Sequence, residues 1–262
     1  MTSRATSTLV ICLAVATAPV IAAELEERTR QAYDAYAART RRAFVDPATL
    51  RGADAARVNR LRTGAIIAGA GGGDGIIDVP GGLLHHWAGA IFVPGATLDT
   101  VLALAQRYST YPSIYESVTA ARVLGREGDT HRILLRLREG GGGITAVLDV
   151  SSTVRYVRVD ARHAYSVSEA TEIREVTDVG RSNERHLPPG EDRGYLWRAS
   201  AFTRYTERDG GVVVELDTLG LSRGFPPLLG WVIEPVARRI GRKSVEGSLR
   251  EFRDALGGRT PA

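Results

Sequence analysis

The chain predicts an α+β fold: an antiparallel sheet of about seven strands, a long C-terminal helix and an N-terminal helical extension. Short runs rich in β-branched and aromatic residues follow one another from residue 82 to residue 222. Gly128-Asp129, residues 140–143 and Asp209-Gly210 separate several of them, as hairpin turns do. Only residues 228–256 combine the length and composition of a long final helix. The 262 residues, 44% hydrophobic and 24% charged, suffice for one ordinary domain with an appendage, and they argue against disorder or a fibrous fold. The expected divisions are a signal peptide over 1–23, a helical extension with a glycine-rich connection over 24–81, and the sheet-and-helix domain over 82–258.

The first 23 residues have the layout of a secretory signal: Arg4, an apolar run from Leu9 to Ala18, then small residues before a charged stretch. Cleavage is expected near Ala22 or Ala23, which places the mature protein in the periplasm or outside the cell. An uncleaved N-terminal membrane anchor is the alternative, although the apolar run over 8–23 falls a little short of the roughly 17–25 residues a spanning helix needs. Cys12, the one cysteine, falls inside the leader. The mature chain therefore offers no thiol, disulfide or cysteine metal ligand.

Lys and Arg number 34 against 30 Asp and Glu, and Lys243 is the one lysine. The charges are interspersed rather than blocked, which reads as a mixed solvated surface. Nucleic acid is not expected as a partner of an exported chain, a membrane surface is possible but not indicated, and the oligomeric state is left open.

Residues 24–44 favour a helix, with Leu25, Tyr33, Tyr36, Ala37 and Phe44 roughly on one face. Residues 64–82 break that pattern with a glycine cluster. A dinucleotide fingerprint would need glycine where Asp74 or Ile76 stands, and a Walker loop needs a Gly-Lys pair. The segment reads as a flexible connection or loose hairpin, and no cofactor is expected. Residues 82–93 read as a strand ended by Pro94-Gly95. Thr97 is then a plausible N-cap, with Asp99 in the first turn and Val101, Leu104, Ala105 and Tyr108 on one side of a helix. After a short irregular or helical turn come six strand candidates, at 118–125, 130–139, 144–160, 163–176, 195–207 and 211–222. The final helix is expected to bend near Gly241.

This order resembles the helix-grip fold of the START-like (SRPBCC) superfamily, which includes polyketide cyclases and lipid-transport proteins. The resemblance covers residues 82–256. It rests on the helix start PGATLDTV, the Tyr111-Pro112 turn before the second strand, and the passage LSRGFPP from the last strand into the final helix. The chain is also similar to exported bacterial members of that class. The resemblance implies a curved sheet wrapped around the last helix, and between them an apolar cavity suited to a lipid, isoprenoid or polyketide-like guest.

Gly220-Leu221-Ser222-Arg223-Gly224 fits the G-x-S-x-G pattern of a nucleophile elbow. Yet His85, His86, His131, His163 and His186 all precede Ser222, and Phe225-Pro226-Pro227 interrupts any immediate helix. Ser222 is therefore not expected to be a nucleophile, and no catalytic residue is assigned. His85 and His86 are strand neighbours that point to opposite faces. They cannot chelate one metal from the same side, and no metal site is expected.

A two-residue turn at Asp209-Gly210 sets Arg204 opposite Glu215, Phe202 opposite Asp217, Thr203 opposite Leu216 and Ala201 opposite Thr218. Arg198, Arg204, Glu215 and Asp217 then share one face, read as the solvent side. Trp197, Ala199, Ala201, Thr203, Tyr205, Val214, Leu216, Thr218 and Gly220 share the other, read as concave. The small residues Ala199, Ala201, Thr218 and Gly220 either admit a closely packed helix or leave a hollow. The cavity candidates are Trp87, Tyr111, Tyr115, Trp197, Ala199, Ala201, Thr203, Tyr205, Leu216, Thr218, Val232 and Val236, with Arg155, Glu234 or a histidine orienting a polar head. The expected function is an exported, non-catalytic carrier of an apolar small molecule. A cyclase-like or aromatase-like enzyme with His86, Tyr111 or Glu234 as acid or base is one alternative. An envelope interaction module using residues 24–44 is another.

Overall fold

A computed structural model describes residues 26–46, 55–141, 144–188, 191–224 and 230–257. The leader and its cleavage point lie outside the described residues. Among those described, no helix is long and apolar enough to cross a membrane.

Two helices come first, α1 (Glu27–Val45) and α2 (Ala55–Arg62), then the short strands β1 (Ile67–Ala70) and β2 (Ile76–Val79) and the long β3 (Gly82–Pro94). Next are α3 (Leu98–Ala105), a 3-10 turn (Tyr108–Thr110) and α4 (Tyr111–Ile114). The antiparallel strands β4 (Val118–Glu127), β5 (Thr130–Gly141), β6 (Ile144–Arg158) and β7 (His163–Thr177) follow. After the short β8 (Arg185–His186) come β9 (Arg198–Arg208) and β10 (Gly211–Ser222), and α5 (Gly230–Ala255) ends the chain. The main sheet runs β1-β3-β10-β9-β7-β6-β5-β4. The last strand thus lies beside the first long one, and the pairing of β10 with β3 runs from Gly211↔Pro94 to Ser222↔Leu83.

The start of α3 obeys local chemistry. Thr97 accepts from the Thr100 amide at 3.2 Å while the Thr100 hydroxyl accepts from the Thr97 amide at 3.0 Å, so two orphan donors of the first turn are satisfied reciprocally. The β9–β10 register is the anticipated one, with Arg204↔Glu215, Phe202↔Asp217, Thr203↔Leu216 and Ala201↔Thr218. Asp209 and Gly210 turn between them at positive φ, as a two-residue hairpin of this kind requires.

Three expectations change. Residues 64–82 do not form a hairpin, because β1 and β2 both pair antiparallel with β3. They are two pieces of one edge strand, interrupted where residues 71–75 loop out. Gly71 donates to the His86 carbonyl and Gly75 accepts from the His86 amide, both at 2.9 Å. Next, α5 runs unbroken through Gly241. A Cβ there would come within 2.3 Å of the Trp87 indole nitrogen. Gly241 serves close approach rather than bending. On β3, Gly89 does the same for Leu249 and Val245 of α5.

The third change concerns the face carrying Arg198, Arg204, Glu215 and Asp217, which is covered rather than solvated. Phe202 on that face is fully buried with Leu84, Leu219 and Leu221 against Tyr33 and Phe44 of α1. The Arg204 guanidinium stacks over the Phe44 ring at 4.3 Å. Glu215 takes Arg204 at 3.3 Å and Arg57 of α2 at 3.2 Å. The large apolar residues alternating with those charges need a cover, and α1 supplies it. The sheet therefore has α5 on its concave face and α1 and α2 on its convex face. The helices α1 and α2 and the strands β1 and β2 pack on the sheet of the domain expected over 82–258.

Candidate functional site

A cavity of about 170 Å³ lies between the concave face and α5. Apolar walls come from Ile133 and Leu135 on β5, Val154 on β6, Val214 and Leu216 on β10, and Leu249 and Phe252 on α5. Five tyrosines also line it: Tyr108, Tyr111 and Tyr115 from the turn region, Tyr156 from β6 and Tyr205 from β9. Ser166, Ser168, Thr203 and Ser248 add hydroxyls. Alternate residues of each strand reach the cavity because successive strand side chains point to opposite faces.

The hydroxyls divide into two groups. At the α3 end, Tyr156 donates to the Ala105 carbonyl at 2.8 Å and Tyr111 donates to the same oxygen at 2.6 Å. Tyr156 has only one proton to give, so the Tyr108 hydroxyl, 2.9 Å away, is the donor to Tyr156. Ser166 and Tyr205 pair at 3.3 Å. The hydroxyls of Tyr115, Ser168 and Ser248 make no hydrogen bond within the described residues although these residues line the cavity. Burial pushes the pKa of all five phenols up. They stay neutral at ordinary pH and offer protons rather than charge.

His131 sits behind this wall, only 4% exposed, with its ring edge-on to those of Tyr108 and Tyr156. Its Nε2 has no partner. Burial lowers its pKa, with the Arg126 charge a smaller contributor.

Of the residues singled out from sequence, Tyr111, Tyr115, Thr203, Tyr205 and Leu216 meet at the cavity. Trp87 belongs to the same apolar cluster, packed beside α5 near Gly241. Thr218 donates to the Trp87 carbonyl at 3.2 Å. Ala199 and Ala201 lie further along β9, partly buried, outside the lining. Trp197 precedes β9 rather than continuing its alternation. It donates to Asp192 at 3.1 Å and packs with the α1 cluster, so it is not on the concave face. The side chains of Val232 and Val236 lie outside the described residues. From α5 it is Ser248, Leu249 and Phe252 that reach the cavity. Alternation along 163–169 could have pointed to Ser166 and Ser168. Nothing local marks which turn of a long helix faces a hollow.

The proposed acid–base residues do not converge. Tyr111 is in the cavity, whereas His86 is on the convex face between Tyr36 of α1 at 3.0 Å and Asp217 at 3.5 Å. Glu234 pairs with Arg238 at 3.0 Å. Arg155 is exposed on the convex face and orients nothing in the cavity. Among the described residues no cluster of three or more His, Cys, Asp or Glu could hold a metal ion.

Ser222 has company that the sequence did not suggest. His85 Nε2 stands 2.8 Å from its hydroxyl across the β3–β10 pair. Ser222 also donates to the Arg223 carbonyl at 3.1 Å. With its proton committed there, Ser222 accepts from His85, which is opposite to the polarity of a base activating a nucleophile. Burial lowers the His85 pKa and keeps the ring neutral. The pair holds the end of β10 to β3.

No protein-family model matches the chain, and no curated protein matches it. Solved structures with a similar arrangement include a Thermus thermophilus protein at 14% identity, covering 65% of this chain and 96% of its own, TM-score 0.47. A STAR-related lipid transfer protein from Xanthomonas axonopodis aligns at 16% identity over 70% of this chain and 99% of its own, TM-score 0.46. The Zhui aromatase/cyclase from Streptomyces aligns at 12% identity over 68% and 97%, TM-score 0.45. At this level of likeness, function has to be read from the cavity itself.

Proposed function

We propose that this protein is an exported binding domain that holds one compact, largely apolar molecule between its sheet and α5. The observation that carries this is a cavity walled by apolar side chains in which Tyr115, Ser168 and Ser248 present hydroxyls without partners among the described residues. All three residues are half-buried, and a guest with one hydrogen-bonding group entering the hollow supplies the partner their hydroxyls lack. Burial of apolar carbon gives the remaining drive, about 0.8 kcal/mol for each methylene.

Size narrows the guest. Sites for drug-sized ligands span roughly 300–1,000 Å³, while a dry cavity of about 150 Å³ accommodates benzene. At about 170 Å³ the site suits a single ring bearing a hydroxyl or carbonyl, and a long-chain lipid would need it to widen. Export rests on the leader-like residues 1–23.

Calorimetric titration of the mature chain with p-cresol and with dodecanol tests the reading. Saturable binding of p-cresol is expected, with loss of that binding in Ser168→Trp, whose indole fills the space, while the melting temperature holds. Absence of saturable binding, or binding untouched in a folded Ser168→Trp protein, overturns it. Fractionation of cells expressing the full chain tests export: the protein should appear shortened and soluble outside the cytoplasm, and an unshortened membrane-bound form would replace the cleaved leader by an anchor.

A further inference from the structure

A second hollow, of about 580 Å³, opens on the convex side of the sheet. It is bounded by described parts of the connection between β7 and β9: residues 177–179, β8 with Leu187, and Arg193. Val147 and Val176 line it from the sheet and Leu187 from the connection. Arg138, Arg185 and Arg193 face it, together with the hydroxyls of Thr145 and Thr177.

Charge pairing holds the connection to the sheet at both ends. Asp149 accepts from Arg136 Nε at 2.7 Å and Nη2 at 2.8 Å, and from His186 Nε2 at 2.8 Å. Arg136 also donates to Glu184 at 2.7 Å, and Glu184 accepts from the Gly180 amide at 2.8 Å. At the other end Glu175, only 4% exposed, takes the Arg193 side chain and, at 3.0 Å, its backbone amide. These are charge-assisted and partly bidentate contacts, the kind that fix geometry. The hollow is therefore a built space and not the chance shape of a loose loop.

Against that background two arginines stand out. Arg136 holds two carboxylates and Arg193 one, but Arg138 and Arg185 have no acidic partner among the described residues. The acid lining the hollow, Asp178, lies 3.8 Å from Arg181. Two guanidinium groups without carboxylate partners thus line one valine-floored space, and an anion between them would be attracted by both.

We propose that this hollow binds an organic oxyanion, a carboxylate or a phosphate monoester, whose charged head lies between Arg138 and Arg185 and whose short apolar body rests on Val147, Val176 and Leu187. This site is independent of the cavity beneath α5, and filling one leaves the other intact.

The mature protein is titrated with hexanoate, hexyl phosphate, inorganic phosphate and hexanol, in the wild type and in Ser168→Trp. Saturable binding of hexanoate or hexyl phosphate is expected in both proteins, the tighter of the two identifying the head group. Hexanol should not bind at this site. Arg138→Gln and Arg185→Gln should each weaken binding by roughly tenfold, while Arg174→Gln, an exposed arginine paired with Glu172, should leave it unchanged. Both arginines to be replaced are exposed, so folding survives, and a melting curve for each variant verifies that. Three results overturn the proposal: no saturable binding of either anion, equal losses in Arg174→Gln, or inorganic phosphate binding as tightly as hexyl phosphate. The last would mean the valine floor takes no part.

Discussion

Trp87 of β3 lies against the backbone of α5 at Gly241, where an added Cβ would stand 2.3 Å from the indole nitrogen. Gly241 therefore shares with Gly89 of β3 the close approach of helix to sheet that sets the depth of the cavity further along. Gly241→Ala gains about 1 kcal/mol of helix propensity but forces an overpacked contact that costs about 1–3 kcal/mol. A net loss of stability is expected in urea unfolding. Trp87→Phe in the same chain should recover part of it, a coupling that a double-mutant cycle reads directly.

The tyrosine relay at the α3 end predicts a second asymmetry. Tyr156→Phe leaves the buried Tyr108 hydroxyl without an acceptor, at a cost of about 1–3 kcal/mol. Replacing both tyrosines by phenylalanine should cost less than the sum of the two single changes, because no orphan donor remains. Equal costs would mean water replaces the lost acceptor.

Tyr33 of α1 predicts an alkaline transition. Burial pushes its pKa up to about 12, partly offset by its hydrogen bond to Ser200. In the unfolded chain it ionises near 10. The folded state thus holds a proton that the unfolded state releases between those values. The stability it contributes is fully present below pH 10 and is lost as pH rises towards 12, about 2–3 kcal/mol in all. Unfolding measured from pH 9 to 12 should fall less steeply in Tyr33→Phe than in the wild type.

His131 predicts the opposite slope on the acid side. Its folded pKa is lowered by burial, so the unfolded chain takes up a proton first as pH falls below about 6.5. Stability is complete above that value and declines beneath it. His131→Phe removes both this loss and an unpartnered Nε2. It should match or exceed the wild type at pH 7 and show a flatter profile from pH 6.5 to 5.

The α1 cover predicts where the extension matters. Phe44→Ala removes the ring that packs on Phe202 and carries Arg204. A loss of about 3–5 kcal/mol is expected for a buried phenylalanine. Binding of p-cresol on the other face of the sheet should persist in the fraction that remains folded. Loss of p-cresol binding from that folded fraction would mean the two faces are coupled.

Much of this fold is legible locally. The β9–β10 register follows from a two-residue turn and the period of two along a strand, and the Thr97 cap from hydroxyls three residues apart. The opposite outlooks of His85 and His86 need only strand geometry. The five site residues Tyr111, Tyr115, Thr203, Tyr205 and Leu216 were within reach for the same reason, since parity on a strand or position in a turn states a direction.

What parity cannot state is what lies in that direction. The face of Arg204 and Glu215 alternates charge with large apolar groups, and only the packing of α1 shows that it is covered. Trp197 has the parity of the concave face but stands just before β9, where the chain no longer alternates. The two halves of the β1–β2 edge, the meeting of His85 with Ser222, the turn of α5 that reaches the cavity and the meeting of Arg138 with Arg185 and Arg193 around one hollow all join distant segments. Element order, register and caps are determined by the sequence itself, because they depend on neighbours a few residues apart. Burial, partners and empty space belong to the tertiary structure, because each depends on which surface another element covers.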